Sequence, residues 1–204
     1  MTVTGKGDRA AGIALIAAAG LSMLAMAHHP TSLRAGAMIQ IVHGAMILFA
    51  GMMMFGFTHM ARRLDLDRPA VLAGLVAYAI ATFANAGAAT VNGFAAPALA
   101  AHGASHDAFD TLWFLNQGLA GVGVAAGGMA YALWALALWR RHKLVASLGL
   151  LAGALPALLL LGGWIDMHLH WAMLVYAAQA LWAGLIGWRL LSGGLAPATP
   201  GSAD

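Results

Sequence analysis

The chain has 204 residues, ten of them Lys or Arg and seven acidic, all aspartate; 8% is charged and 62% hydrophobic. A soluble domain carries about a quarter charged residues, and disorder requires the low hydrophobicity this chain lacks, so both classes are excluded. With a mean hydropathy of +0.81, what remains is an integral membrane protein, one domain with little material outside the bilayer. No cysteine is present, hence no disulfide and no thiolate metal site. The net charge of +3 does not point to nucleic acid, because the basic residues lie in short turns between apolar runs and report topology.

Charged residues divide the sequence into six uncharged apolar runs, each long enough for the roughly 20 residues that cross a hydrocarbon core. Helices are expected at 10–27, 36–60, 69–94, 110–139, 144–165 and 168–191, giving an all-α bundle of six transmembrane helices with short loops. Residues 1–9 form a short leading segment, 10–192 the membrane domain, and 193–204 a Ser/Pro/Gly tail expected to be disordered. Nine of the ten basic residues fall on one side and Arg34 alone on the other. The positive-inside bias then places both termini in the cytoplasm of a bacterial-type inner membrane. Trp134, Trp139 and Trp188 are expected at the inner interface, and Trp113, Trp164 and Trp171 at the outer one.

In span one, Lys6 and Arg9 precede an apolar run that ends in Ala25-Met26-Ala27. The same layout suits a cleavable signal peptide, which would leave five spans and a chain starting at His28. Span two carries His43, about 12 Å along the helix at ~1.5 Å per residue. Its imidazole should face the bundle rather than lipid, with Gln40 one turn earlier on the same broad face. In span three, Tyr78, Asn85 and Asn92 recur every seven residues and form one stripe, with Thr82 beside it. In span four, Asn116 aligns with Gly123 and Gly127, a small-x-x-x-small face of the kind that packs helices closely. Gly149 and Gly153 repeat that spacing in span five, and Pro156 interrupts its backbone hydrogen bonding. In span six, Gln179 aligns with His168.

The placement of His and Asp carries the functional argument. His28, His29, His102, His106, His168 and His170, with Asp107, Asp110 and Asp166, gather at the outer face. His59 and His142 sit beside basic residues at the inner face and read as solvated. Asp110 and Asp166 are also well placed to cap helices four and six. Imidazoles and carboxylates suit Cu or Zn, and thioethers favour Cu(I). The expected metal ligands are therefore His168, His170, His43 and Asp166, then His106 and Asp110, with Met26, Met38, Met167 and Met173 near enough to add sulfur.

A b-type haem ranks below a metal ion, because nothing selects two facing axial ligands at one depth. The rival class is a small-solute or ion transporter or channel, with Gln40, Tyr78, Asn85, Asn92, Asn116 and Gln179 as its polar core or pathway. A non-catalytic assembly subunit is the third reading. The partners that follow are the lipid bilayer and either a second copy of the chain or another membrane protein. No His-Glu-x-x-His or Gly-x-Ser-x-Gly motif names a reaction, and the sequence leaves enzymatic activity undecided.

Overall fold

The structure, a computed structural model, describes residues 5–30, 32 and 35–195. Six helices run up and down: α1 (Lys6–Ala27), α2 (Ala37–Leu64), α3 (Pro69–Ala101), α4 (His106–Leu138), α5 (Lys143–Leu161) and α6 (Leu169–Leu191). Each is long and apolar enough to span a membrane, and the protein is a polytopic helical membrane protein. The position of Arg34 and the tail from 196 onward lie outside the described residues. The chain just before that tail is folded, with Leu195 buried.

Each helix packs on its neighbour in sequence, and α6 returns to pack on α1, so the six form a closed ring. Alternation gathers Arg62, Arg63, Arg68, Arg140, Arg141 and Arg189 at one end, the arginine face. His28, His29, His102, His106, His168 and His170 lie at the other, the histidine face. Lipid-facing positions are apolar, among them Phe83, Leu144, Leu158 and Leu161, because nothing in hydrocarbon satisfies a polar side chain.

Small residues set the closest approaches. A Cβ on Gly12 of α1 would meet the Gly187 carbonyl oxygen of α6 at 2.7 Å, and a Cβ on Gly187 would meet the Gly12 carbonyl oxygen at the same distance. The two helices therefore touch backbone to backbone. The spaced glycines of α4 and α5 also pack within the bundle: Gly123 against Asn85, Gly149 against Trp182, and Gly153 against Tyr131.

Helix limits differ from expectation where prolines lie. The third helix runs on to Ala101 instead of ending near 94, passing Pro97 through a π-helical segment at Val91–Ala95. The fifth helix has a second such segment at Leu150–Ala154, just before Pro156. Proline lacks an N–H and its ring crowds the carbonyl four residues back. Those carbonyls, of Gly93 and Ala152, both fall inside the widened turns, which absorb the misfit without ending the helix. The fourth helix starts at His106 with Ser105 as N-cap, so Asp110 lies in its second turn and caps nothing. The sixth starts after His168, so the helical alignment of His168 with Gln179 does not hold.

Two tryptophans are core residues. Trp134, expected at the interface, is fully buried and donates its indole N–H to the Val71 carbonyl of α3 at 3.2 Å. Trp182 donates to the Val145 carbonyl of α5 at 2.9 Å. With Phe57, Tyr78 and Tyr131 they form a continuous aromatic cluster, Phe57 stacking on Trp134 at 5.1 Å and Tyr131 lying 4.5 Å from Trp182. At the arginine face, His59 is not simply solvated: its Nε2 lies 2.8 Å from the buried carboxylate of Asp8, which Arg63 approaches at 3.2 Å.

Candidate functional site: a polar chamber inside the bundle

Within the ring lies a cavity of about 300 Å³ lined by α1, α2, α3, α4 and α6, while α5 packs outside it. It begins at His29, Trp113, Met167 and Leu169 near the histidine face and descends to Tyr78 and Tyr131. From Trp113 to Tyr131 along α4 the rise is about 27 Å at ~1.5 Å per residue. Below it, the aromatic cluster forms a floor toward the arginine face.

The predicted polar stripe is assembled here. Tyr78, Asn85 and Asn92 all line the chamber, with Thr82 beside them, and Asn116 and Gln179 face them from α4 and α6. Gln40 does not join them. It is exposed on the outside of α2, because the inward face there runs through Ile39, Val42 and His43. The missed polar lining residues are Ser22, His29, Gln117, Tyr131 and Tyr176. Tyr176 has the clearest role, donating its hydroxyl to Asn85 Oδ1 at 2.9 Å and so tying α6 to α3. It lies one turn before Gln179, a spacing that could have marked it.

Close packing around Asn85 is deliberate in shape. Any Cβ on Gly123 would overlap the Asn85 amide, so the glycine gives that amide its room. Gln117 donates to the Met167 carbonyl at 3.4 Å, closing the top of the wall between α4 and the loop before α6.

His43 sits at the upper end, 3% exposed, with Nδ1 on the Ile39 carbonyl at 2.8 Å. That carbonyl can only accept, so Nδ1 carries the proton and Nε2 is left as a lone-pair acceptor. Nε2 is buried and has no hydrogen-bond partner, and neither has His29 Nδ1. The two rings meet edge to face at 4.9 Å. Gly93, inside the first π-helical segment, leaves no space for a Cβ against His43, so that widened turn braces the histidine.

The other predicted ligands are elsewhere. His168 pairs with Asp166 at 2.7 Å and His106 with Asp110 at 3.2 Å, both pairs exposed at the histidine face. His170 is exposed against Trp171. The backbone N–H of His168 holds the Asp166 carboxyl below the usual carboxylate range, with the His168 ring adding to the effect. Met38 and Met173 face outward, whereas Met26, Met46, Met53 and Met167 line the chamber. Among the described residues, no three His, Asp or Glu side chains come together as a metal-binding group. His43, buried, and His29, partly buried, meet in direct edge-to-face ring contact.

Burial first, and the neighbouring His43 ring second, push the His29 imidazole below its ordinary 6.5, partly opposed by the adjacent Pro30 backbone. A depressed His value means that the unfolded chain takes up the proton first. Stability is therefore fully present above about 6.5 and is lost as pH falls through the folded value. His142 acts in the same direction, through burial and then Arg189 and Arg141. Thermal unfolding should thus occur at progressively lower temperature from about pH 7 to about pH 5, and His29→Phe should remove part of that dependence.

No family model, curated protein or solved structure matches this chain. Fold and site define its class: a polytopic α-helical membrane protein with a chamber inside the bundle whose mostly apolar wall carries a few amides and phenols.

Proposed function

We propose that the protein binds a small uncharged polar solute in this chamber, taken up from the histidine face, as the binding step of a transporter. One observation carries the reading. Five side-chain amides (Asn85, Asn92, Asn116, Gln117 and Gln179) and three phenols (Tyr78, Tyr131 and Tyr176) line the cavity, and among the described residues no Asp, Glu, Lys or Arg does. An ion drawn into such surroundings would lose its hydration with no opposite charge to replace it, whereas a neutral solute needs only hydrogen bonds. A mostly apolar cavity with a few convergent polar groups is also the usual form of a small-molecule site. Passage to the other side requires the aromatic floor to move. The arginine face is cytoplasmic in this reading, following the positive-inside bias, and the membrane is an inner membrane of bacterial type.

The test is thermal stabilisation of the purified chain by panels of polyols, amides and neutral amino-acid analogues, set against salts of similar size. Stabilisation by a neutral class alone is the expected result, and stabilisation only by ions contradicts the reading.

The unpartnered nitrogens of His29 and His43 favour a second reading, a Cu(I) site at the top of the chamber. Imidazole with thioether from Met26, Met46 or Met167 suits that soft ion better than Zn, since among the described residues no carboxylate lines the cavity. This relocates the metal from His168 and His170 to the His29–His43 pair. Copper analysis after loading under reducing conditions should then show about one ion per chain. His29→Ala with His43→Ala should lose it, and His168→Ala with His170→Ala should keep it.

A further inference from the structure

At the opposite end of the molecule, a second cavity of about 540 Å³ opens between the α2–α3 turn and the α4–α5 turn. Arg63, Arg68, Arg140 and Arg141 line it, together with His142 and, among the described residues, a single acid, Asp65. The positive-inside bias accounts for arginines on this side of a membrane. It does not account for four of them converging on one hollow.

Among the described residues, their charges are poorly answered. Arg63 leans toward Asp8, but Arg68, Arg140 and Arg141 have no ion pair among the described residues. The Asp65 carboxylate is engaged by the backbone N–H of Asp67 at 3.1 Å. His142 adds no competing acceptor on its δ side: Arg189 can only donate, so the 2.9 Å contact to His142 Nδ1 fixes the ring proton on Nε2. That leaves His142 a further N–H donor on the wall of a cationic basin.

We propose that this basin binds a phosphate-type anion, with the Arg68, Arg140 and Arg141 guanidiniums as its principal donors. Guanidinium forks match phosphate oxygens in pairs, and an enclosed anion relieves the mutual repulsion of the arginines. The anion can come from a lipid headgroup or from solution. Leu64 and Leu136 continue the wall beside the charged rim, Leu136 being 60% exposed on the outer surface of the bundle. An acyl chain would lie along that surface while its phosphate reached the arginines, as at basic interhelical headgroup sites. The proposal is independent of the chamber and of what the chamber binds.

The experiment uses the full chain purified in neutral detergent. Native mass spectrometry counts retained phosphatidylglycerol against phosphatidylcholine, and thermal unfolding is followed with inorganic phosphate. Expected is selective retention of phosphatidylglycerol, reduced about tenfold in Arg68→Gln with Arg140→Gln. Arg9→Gln with Arg62→Gln removes the same charge from the same face without touching the basin and should change retention less than about twofold. If the basin double variant does not insert, Arg141→Gln alone carries the comparison. Phosphatidylglycerol retention without a response to phosphate assigns a lipid, and protection by phosphate without lipid retention assigns a soluble phosphate. Equal losses in both double variants, or no response of the natural protein to either probe, overturn the proposal.

Discussion

Gly123→Leu should abolish solute stabilisation of the purified protein while leaving it inserted. Even the first carbon of a new side chain at this position falls on the Asn85 amide, whose Oδ1 accepts a hydrogen bond from the Tyr176 hydroxyl. A leucine must therefore push Asn85 off its partner and project its own branched end into the chamber. The cavity loses both a hydrogen-bonding wall and part of its volume, so affinity should fall at least a hundredfold, the equivalent of about 3 kcal/mol. Part of this is the cost of an amide left unpaired in a buried site. The check is the thermal-shift titration in the natural protein and in the variant. Undiminished stabilisation by the same solute would place its site elsewhere.

Gly128→Ala should destabilise the fold by about 2–3 kcal/mol or more, lowering the unfolding temperature by roughly 5–10 °C. Helix propensity alone gives the opposite sign, since alanine in a helix interior is favoured over glycine by about 1 kcal/mol. Contact decides the outcome. A Cβ on Gly128 would lie 2.5 Å from the Ala157 Cβ and 2.6 Å from the Gly153 carbonyl oxygen, and backbone cannot step aside as a flexible side chain can. The fourth and fifth helices would have to separate near the second π-helical segment. Gly118, on the same helix with nothing within 4 Å of its Cβ direction, supplies the control. Gly118→Ala should be neutral or stabilising by up to about 1 kcal/mol. Thermal unfolding of the two variants in one detergent reads the difference in sign.

What could be seen in advance depended on how local the signal was. Six spans follow from hydropathy alone, and the Tyr78–Asn85–Asn92 stripe follows from helical periodicity; each survives because one helix keeps its own register. Asn116 and Gln179 were legible for the same reason, as amides in the interior of apolar helices. Gln40 failed because it lies about 60° round the helix from His43, past the edge of the inward face, and in the first turn, where a polar group reaches the interface cheaply. His29 was invisible to periodicity: it belongs to a connection whose return onto His43 is a tertiary event. The outer His and Asp residues cluster at one face yet pair off locally, as His168 with Asp166 and His106 with Asp110, so a shared face did not become a shared site. Trp134 read as a belt residue because an indole–carbonyl bond between helices leaves no local trace in the sequence.

Thiol reactivity at single cysteines most directly tests the claim that the bundle holds a polar chamber reached from the histidine face. The chain has no native cysteine, so each introduced thiol reports alone. Only a hydrated thiol ionises enough to react with a polar reagent. Asn85→Cys and Gln179→Cys, on facing walls of the cavity, should label with a small uncharged polar methanethiosulfonate supplied from the side of His29. Phe83→Cys, 80% exposed on the outer surface of α3, and Val124→Cys, fully buried in α4, should not. Labelling at Asn85 and Gln179 but at neither control is the predicted result. Protection of Asn85 and Gln179 equal to that of Val124 would mean a dry bundle and contradict the account.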